Sequence, residues 1–196
     1  MDWDARYAEP GYTFGEEAND FLAKHFNCIP KGNVLCLAEG EGRNAVFLAK
    51  QGYRVTAVDA SAVGLDKAMQ LADKHNVEIE TLQADLAEYV IEPNYWQGIV
   101  SIFCHLPVEL RTQVHASVSE GLVKGGCLIL EAYTPAQIEF ATGGPSNPER
   151  CMTLNALRQE LVGLDWQHGL ETERDVIEGK YHVGRASVVQ VIAGKT

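Results

Sequence analysis

The sequence predicts an α/β protein in which a doubly wound, seven-stranded, mostly parallel sheet has helices on both faces and a C-terminal antiparallel hairpin. Over residues 33–133, short apolar runs alternate with segments whose apolar residues recur at helical spacing. That alternation is typical of a parallel sheet built from βαβ units. The pattern then changes, because two β-rich runs at 171–178 and 184–193 are joined by only a few residues. So short a connection favours an antiparallel hairpin.

Each element follows from its local pattern. A helix over 15–26 is predicted because Ala18, Phe21 and Phe26 share one helical face, and the Pro30 region ends it before the first strand. Five strands and the helices between them are then predicted in the order strand 33–38, helix 43–51, strand 53–58, helix 61–74, strand 77–83, strand 98–103, helix 108–122 and strand 127–133. A last helix is predicted at 153–161, before the hairpin.

Length and composition predict one domain. A chain of 196 residues with 46% apolar residues fills a single core without disulfides, so residues 1–196 are expected to form one unit. The five cysteines are odd in number and lack a C-x-x-C pair, and we interpret them as reduced core residues. Three prolines and two adjacent glycines in 134–150 predict a long loop over the sheet edge. Such a loop is often functional, and a tolerated surface insertion is the alternative.

Charge and hydropathy exclude several classes of function. The chain carries 16 basic and 27 acidic residues, for a net charge of −11, without a Lys/Arg cluster. This balance argues against nucleic acid as a partner. No apolar run is long enough to cross a membrane and the N-terminus is polar, so we expect a cytoplasmic protein that neither enters a membrane nor is secreted. The histidines lack metal-ligand spacing, so no metal site is expected.

A glycine loop follows the first strand directly, in the segment VLCLAEGEGRNAVFLA. Gly40 and Gly42 lie where the backbone turns before a helix, and glycine permits positive φ and close approach of a ligand. Asp59 ends the second strand, the position from which a carboxylate accepts both hydroxyls of an adenosine ribose. Asp85 ends the third strand, near the expected adenine. Either aspartate also suits a helix N-cap, although Ser61 is already placed to cap after Asp59.

The glycine loop alone does not identify the cofactor, because G-E-G-R-N-A also satisfies the dinucleotide pattern G-x-G-x-x-G/A. Three features favour S-adenosylmethionine over NAD. A helix precedes the first strand, the chain is too short for a separate substrate domain, and a C-terminal hairpin has no place in the six-strand dinucleotide fold. An NAD-dependent oxidoreductase is the alternative.

The sequence resembles the class I methyltransferases along nearly its whole length. Their motifs occur in order as VLCLAEGEGRN, VTAVDAS, ADL, a strand ending in IFCHLP, and LVKGGCLILEAY. Within that family it is similar to the small enzymes related to the tellurite-resistance and thiopurine methyltransferases, through WDARYAEPGYTFGEEANDFL and the G-R-N that ends the loop. The resemblance implies a Rossmann-like fold, S-adenosylmethionine as cofactor, a small-molecule methyl acceptor, and a monomer or weak homodimer.

The resemblance also implies a set of cofactor-binding residues at the carboxyl ends of the first four strands. The loop residues would surround the methionine part, the second strand end would hold the ribose, the third the adenine, and the fourth would lie beside the donor sulfur. In that order the set is Glu39, Gly40, Glu41, Gly42, Asn44, Asp59, Ala60, Ser61, Asp85, Leu86, Phe103 and Cys104. We interpret Cys104 as a buried apolar residue, since transfer to an external acceptor needs no covalent enzyme intermediate.

The glycine loop departs from the family spelling V-L-D-L-G-C-G-x-G. Cys36 replaces the aspartate, Ala38 replaces the first glycine, and Glu39 fills the cysteine position. We expect Glu39 to contact the cationic amino group of the donor, and Ala38 to restrict the backbone at the turn. These changes make a catalytically silent S-adenosylmethionine-binding module the second alternative.

Several residues are candidates for the acceptor side. His105, just past the fourth strand, is a candidate general base with a near-neutral pKa, and a loop histidine without a chemical task is its alternative. Residues 1–30 are expected to form an N-terminal lid and helix, and 134–151 a loop over the acceptor site. The lid and acceptor pocket would use Arg6, Tyr7, Tyr12 and Tyr133, although ordinary packing fits each tyrosine equally well.

Overall fold

Seven strands and seven α-helices are present among residues 2–196, the part of the chain that the computed structural model describes. The strands are β1 (Asn33–Leu37), β2 (Arg54–Asp59), β3 (Glu80–Gln83), β4 (Trp96–Ile102), β5 (Leu122–Tyr133), β6 (Leu164–Glu178) and β7 (His182–Lys195). The helices are α1 (Trp3–Tyr7), α2 (Asp20–His25), α3 (Arg43–Lys50), α4 (Ala62–His75), α5 (Val108–Gly121), α6 (Gln137–Phe140) and α7 (Leu154–Glu160).

The strands form one sheet in the order β3-β2-β1-β4-β5-β7-β6. The first five strands pair in parallel, whereas β7 is antiparallel to both β5 and β6. This topology confirms the predicted doubly wound sheet with a terminal hairpin. Because the carboxyl ends of β1, β2 and β4 lie side by side, the segments that follow these strands meet at one edge of the sheet.

Alternate residues of each central strand supply the two cores. On β1, Val34 and Cys36 face a core shared with α2, α3 and α4, while Leu35 and Leu37 face a core shared with α5 and α7. All four side chains are buried, as period-two alternation in a strand with two covered faces requires. The prediction of helices on both faces is therefore confirmed.

The observed boundaries differ from the predicted ones at both ends of the chain. Helix α2 begins at Asp20 because Asn19 caps it, its side chain accepting a hydrogen bond from the Leu22 amide. Strand β6 begins at Leu164, since it pairs with β7 along its whole length up to Lys195. Helix α1 was not predicted, because five residues are too few to show helical periodicity.

The five cysteines are free in the structure. Four of them are buried, whereas Cys28 is partly exposed, and its Sγ lies 2.7 Å from the Sγ of Cys127. Across residues 2–196, no helix is long and apolar enough to cross a membrane. The same residues contain no group of three or more His, Cys, Asp or Glu side chains that could hold a metal ion.

Gly42 and Gly52 have similar backbone angles but different surroundings. Their substitution therefore measures the cost of backbone strain separately from the cost of overpacking. Gly42 has φ 87° and Gly52 has φ 85°, but a Cβ on Gly42 would lie 2.5 Å from the Cβ of Ala68 on α4, whereas a Cβ on Gly52 would have nothing within 4 Å. Gly52→Ala is expected to cost about 1–2 kcal/mol of strain, and Gly42→Ala about 1–3 kcal/mol more, through overpacking between α3 and α4. Urea unfolding of both variants measures the difference. Equal losses would show that α4 does not press on the loop.

Candidate active site

The loop between β1 and α3 has a strained conformation. Gly40 has φ 61° and Gly42 has φ 87°, and Ala38 also adopts the left-handed region at φ 49°. A residue with a Cβ is disfavoured there by about 1–2 kcal/mol. The replacement of the family glycine by Ala38 therefore places backbone strain at the first residue after β1.

Glu39 points into the protein beneath this loop. Its side chain is 8% exposed, and its Oε1 accepts hydrogen bonds from the amides of Asn44 at 2.9 Å and Ala45 at 2.7 Å. Burial, and after it the nearby Glu39 carboxyl group, raises the pKa of the Cys36 thiol, which occupies the family's aspartate position. Glu39 thus satisfies the free amides at the start of α3. Both of these bonds use Oε1, and the predicted contact of Glu39 with the donor's amino group stays a prediction.

Burial raises the pKa of Glu39 from 4.5 to about 7. The folded protein therefore binds this proton more tightly than the unfolded chain, and stability is lost as the pH rises from 4.5 through 7. Glu39→Gln keeps an acceptor oxygen for α3 but carries no charge. We expect the variant to gain stability relative to the wild type between about pH 5 and about pH 8. Urea unfolding at both pH values tests this. A difference in the free energy of unfolding between variant and wild type that is the same at both pH values would contradict it.

Asp59 connects the ends of β1 and β2. Its Oδ2 accepts a hydrogen bond from the Gly40 amide at 2.8 Å, and its Oδ1 accepts one from the Ser61 amide at 2.8 Å. The side chain is buried, which raises its pKa despite these bonds. Ser61 caps α4, its hydroxyl accepting from the Gly64 amide. Asp59 is therefore not the cap of α4, and it holds the glycine loop against the end of β2. Ala60, between them, is exposed.

Asp85 has a local structural role. It is exposed, and its Oδ1 accepts a hydrogen bond from the Ala87 amide at 2.9 Å. Its main-chain carbonyl accepts from the amides of Glu88 and Tyr89, so it organises the turn after β3. Leu86 is buried in the core on the α5 side of the sheet. The element that follows Asp85 is strand β4, not a helix, so the Asp85 side chain stabilises a turn and does not cap a helix, and adenine binding stays a prediction.

The N-terminal segment covers the glycine loop. Tyr7 is 5% exposed and lies so close that a Cβ on Gly40 would be 2.5 Å from its Oη, and a Cβ on Gly64 would be 2.9 Å from its ring. Trp3 stacks on Tyr7 with ring centroids 5.5 Å apart. Tyr7 therefore occupies the space that glycine leaves open above the loop.

Glu41 of the loop and Asn44 of α3 hold this segment in place. Glu41 accepts a hydrogen bond from the Thr13 main-chain amide at 2.7 Å, and Asn44 accepts one from the Asn19 main-chain amide at 3.0 Å. Both side chains are buried. Glu41 and Asn44 thus bind the N-terminal segment at Thr13 and Asn19, and its function as a lid stays a prediction.

Arg6 and Tyr12 do not face the glycine loop. The Arg6 guanidinium lies 4.1 Å from the centroid of the Tyr181 ring, and the Tyr12 hydroxyl donates to the Lys67 carbonyl on α4 at 3.3 Å. Both contacts attach the N-terminal segment to its neighbours. Arg6 and Tyr12 therefore anchor the N-terminal segment, and their predicted role at the acceptor pocket stays a prediction. Met1 lies outside the described residues.

The end of β4 carries Phe103 and Cys104, the residues predicted to lie beside the donor sulfur. Phe103 has φ 53°, a left-handed conformation that is rare for a bulky side chain. Burial raises the pKa of the Cys104 thiol to about 12, so it stays protonated and is no nucleophile. This agrees with its interpretation as an apolar residue.

His105 has both ring nitrogens engaged with the main chain. Nδ1 lies 3.1 Å from the Arg150 carbonyl, and Nε2 accepts from the Tyr133 amide at 3.3 Å. Burial lowers the pKa of the ring to about 4, so it is neutral, and Nδ1 donates to the carbonyl. No lone pair is left to accept a proton. This geometry argues against the general-base role predicted for His105, because the histidine instead ties the 134–151 loop to β5.

Sequence reasoning missed a buried ionic network beside this edge of the sheet. Glu131 of β5 is 0% exposed and pairs with Arg174 at 2.6 Å. Arg43 of α3 pairs with Glu178 at 2.6 Å. The side-chain Nδ2 of Asn19 donates hydrogen bonds to the Glu131 carboxylate at 2.6 Å and to the Glu178 carboxylate at 2.9 Å. These residues are far apart in sequence, and only the pairing of β5, β7 and β6 brings them together.

Comparison with known proteins gives a partial sequence match. Residues 34–126 match the protein family described as "Methyltransferase domain". The ubiquinone biosynthesis O-methyltransferase of Rickettsia canadensis is 36% identical over 67 residues, which cover 34% of this chain and 28% of that protein. The enzyme of the same name from Rickettsia bellii is 30% identical over 74 residues, covering 38% and 31%. The chain thus matches less than a third of the length of these relatives.

Solved structures match the whole fold. A protein studied for the conversion of a disulfide bond into a thioacetal group during echinomycin biosynthesis gives a TM-score of 0.79 at 16% identity, covering 98% of this chain and 90% of that chain. TehB from Haemophilus influenzae gives a TM-score of 0.74 at 20% identity, and the match covers 91% of this chain and 63% of TehB. A TehB-like S-adenosylmethionine-dependent methyltransferase from Corynebacterium glutamicum gives 0.64 at 18%, covering 90% and 88%.

These matches confirm the resemblance predicted from the motifs. The glycine loop, Asp59 and the third and fourth strand ends all lie inside the matched segment. The N-terminal segment and the hairpin lie outside it, and the structural matches extend over both. The chain therefore has the fold of solved S-adenosylmethionine-dependent methyltransferases, and its residues 34–126 match the methyltransferase-domain family.

Proposed function

We propose that this protein is a methyltransferase that moves the methyl group of S-adenosylmethionine to a small-molecule acceptor. One observation carries the proposal: the Asp59 carboxylate lies 2.8 Å from the Gly40 amide, at the sheet edge where β1 separates β2 from β4. Ligands of open α/β sheets bind at this topological switch point. The family match over 34–126 and the O-methyltransferase relatives support the same reaction class.

The residues at this edge fit such a cofactor. Gly40 presents a surface without a Cβ, the nearest atoms to that surface belong to the Tyr7 side chain, and Asp59 places a buried carboxylate beside it. Gly40 and Gly42 would approach the methionine part, Asp59 with Ser61 would hold the ribose, and Phe103 would lie beside the sulfur. Tyr7 must leave the surface of Gly40 when the cofactor binds. It would then lie over the bound cofactor and exclude water from the site.

The bound cofactor supplies a methyl group that is already activated by a cationic sulfur. The chain therefore mainly aligns the acceptor and excludes water, for which proximity and orientation supply much of the acceleration. The buried N-terminal contacts of Glu41 and Asn44 hold the cover over the loop. The loop of residues 134–151, tied to β5 through His105, bounds the acceptor side.

Two further proposals concern the context of this activity. The net charge of −11 supports an acceptor other than nucleic acid. We also propose that residues 1–196 act as one domain, in the cytoplasm, as a monomer or weak homodimer.

Calorimetric titration with S-adenosylmethionine, S-adenosylhomocysteine and NAD tests the cofactor. We expect both sulfur compounds to bind with dissociation constants in the micromolar range, and NAD not to bind, since β7 inserted antiparallel beside β5 is foreign to the dinucleotide fold. Binding of NAD alone would replace the proposal with an oxidoreductase.

A catalytically silent binding module is the second candidate function. The strained Ala38, the engaged Glu39 carboxylate and the Tyr7 side chain over Gly40 favour it. Binding of S-adenosylmethionine without transfer to any acceptor would establish this candidate instead.

A further inference from the structure

Four aromatic rings meet at the carboxyl ends of β4 and β5, and we name Phe14, Phe103, Tyr133 and His182 the aromatic cluster. Phe103 stacks on Tyr133 with centroids 4.5 Å apart, and His182 lies edge-on to both, at 5.0 and 5.3 Å. Phe14 of the N-terminal segment closes the cluster at 4.6 Å from His182. Phe103 directly follows β4, so the cluster adjoins the place proposed for the donor sulfur.

Two polar atoms of this cluster are buried without a hydrogen-bond partner. They are the Oη of Tyr133, whose side chain is 0% exposed, and the Nδ1 of His182. The nearest carboxylate oxygen to Nδ1 is on Glu178 at 3.9 Å, too far for a hydrogen bond. Buried polar groups without partners are rare and cost about 1–3 kcal/mol each. Nδ1 of His182 at least faces a carboxylate, so it is the hydroxyl group of Tyr133 that indicates a ligand at this cluster.

The loop of residues 134–151 closes over the same rings through a glycine pair. A Cβ on Gly143 would lie 2.9 Å from Cδ2 of His182, and a Cβ on Gly144 would lie 2.7 Å from Cδ2 of Tyr133. Only backbone without side chains fits at these distances. The edge of His182 that carries Cδ2 and the adjoining Nε2 therefore faces the loop, so a ligand that enters beneath a lifted loop meets Nε2.

Two of the three arginines near the cluster are paired with acids. Arg43 and Arg174 are each bonded at 2.6 Å to a buried carboxylate, Glu178 and Glu131 respectively. Neither of these two is free to bind an anionic acceptor, the carboxylates repel one, and the third, Arg6, lies over the Tyr181 ring. Stacked and edge-on rings instead favour a flat, uncharged aromatic molecule.

We propose that the aromatic cluster is the acceptor site, that the acceptor is a phenol, and that Nε2 of His182 takes the proton of its hydroxyl group. This inference rests on the proposed methyltransferase function. In the step, an electron pair of the phenol oxygen forms the new O–C bond to the methyl group. The S–C bond breaks, its pair returns to the sulfur, and the hydroxyl proton passes to Nε2.

The surroundings of His182 prepare the ring for this role. Burial lowers its pKa, opposed by Glu178 and reinforced by Arg43 and Arg6, so the ring is neutral near pH 7. The geometry assigns the ring proton to Nδ1, which faces Glu178, and leaves the lone pair on Nε2. Glu178 is thus a positioning residue. A base matters most for a hydroxyl, because a phenol is less acidic than a thiol.

A series of substituted phenols tests His182. Some members should be protonated at the assay pH, and others, such as nitrophenols, should be ionised. His182→Gln is expected to slow transfer to protonated phenols by about 100-fold or more, and to leave transfer to ionised phenols near the wild-type rate. Any variant that merely distorts the site slows both groups equally. His105→Gln provides that comparison, since the His105 ring has no free nitrogen.

Tyr133→Phe tests the site independently of the base. Because the Tyr133 hydroxyl has no protein partner, its removal should leave the melting temperature unchanged or higher, while KM for phenols rises about 10-fold. A lower melting temperature with unchanged KM would overturn the site.

If His182→Gln slows transfer to protonated and ionised phenols equally, His182 is not the base. Methylation of thiophenols but not phenols would overturn the acceptor class. Calorimetry and a transfer assay on the same preparations separate these failures from a failure of the proposed function. In the latter case the wild type either does not bind S-adenosylmethionine or binds it without methylating any acceptor.

Discussion

Replacing Arg174 with alanine is expected to lower the free energy of unfolding by about 3–5 kcal/mol, since it leaves a buried charge without its partner. Arg174 donates to Glu131 through two nitrogens, at 2.9 and 2.6 Å, and Glu131 is 0% exposed. Asn19 and Gln190 also donate to this carboxylate but carry no charge. They can solvate the anion only in part. Urea unfolding at neutral pH measures the loss.

A surface pair on the same hairpin is the matched control. Arg185 lies 3.3 Å from Glu173, and their side chains are 51% and 55% exposed. Arg185→Ala should change the free energy of unfolding by less than about 1 kcal/mol. If Arg174→Ala costs no more than Arg185→Ala, the ionic network does not hold the hairpin to β5.

Asp59→Ala is expected to weaken S-adenosylmethionine binding by about 10-fold to 100-fold. Hydrogen bonds to a charged group contribute about 1.5–3 kcal/mol, and Asp59 is placed to accept them from the ribose. The variant also releases the Gly40 and Ser61 amides that Asp59 now bonds. Asp59→Asn keeps one acceptor oxygen and the shape, so its affinity should be intermediate. Calorimetric titration gives all the dissociation constants.

Asp66→Asn is the control for charge, because Asp66 is exposed on α4. Its dissociation constant should equal that of the wild type. If Asp59→Ala remains folded by circular dichroism and binds the cofactor as tightly as the wild type, then Asp59 does not hold the ribose.

The sequence pattern predicted the parts of the fold and site that depend on local chemistry. Helical and strand periodicity placed the central elements, and glycine spacing predicted the turn at Gly40 and Gly42. Asp59 could be placed at the end of β2 because it directly follows an apolar run. Each of these inferences uses residues that are close together in the chain.

The parts that the sequence could not show depend on the direction in which a side chain points or on pairing between distant segments. Spacing placed Glu39 and His105 near the site, but it did not show that α3 and the 134–151 loop engage them. His182 and Arg174 were missed because their contacts arise only when β7 inserts between β5 and β6. Residues on a terminal hairpin have no local signal of the strand that they will meet.

Transfer of labelled methyl groups tests whether the protein is a methyltransferase or a silent binding module. The full chain is incubated with S-adenosylmethionine labelled in its methyl group and with a panel of small phenols, thiols and amines. We expect one molecule of labelled, methylated product for each molecule of S-adenosylhomocysteine formed, and a rate of formation above the rate measured without protein. Binding of the cofactor with no label in any acceptor beyond that background would contradict it.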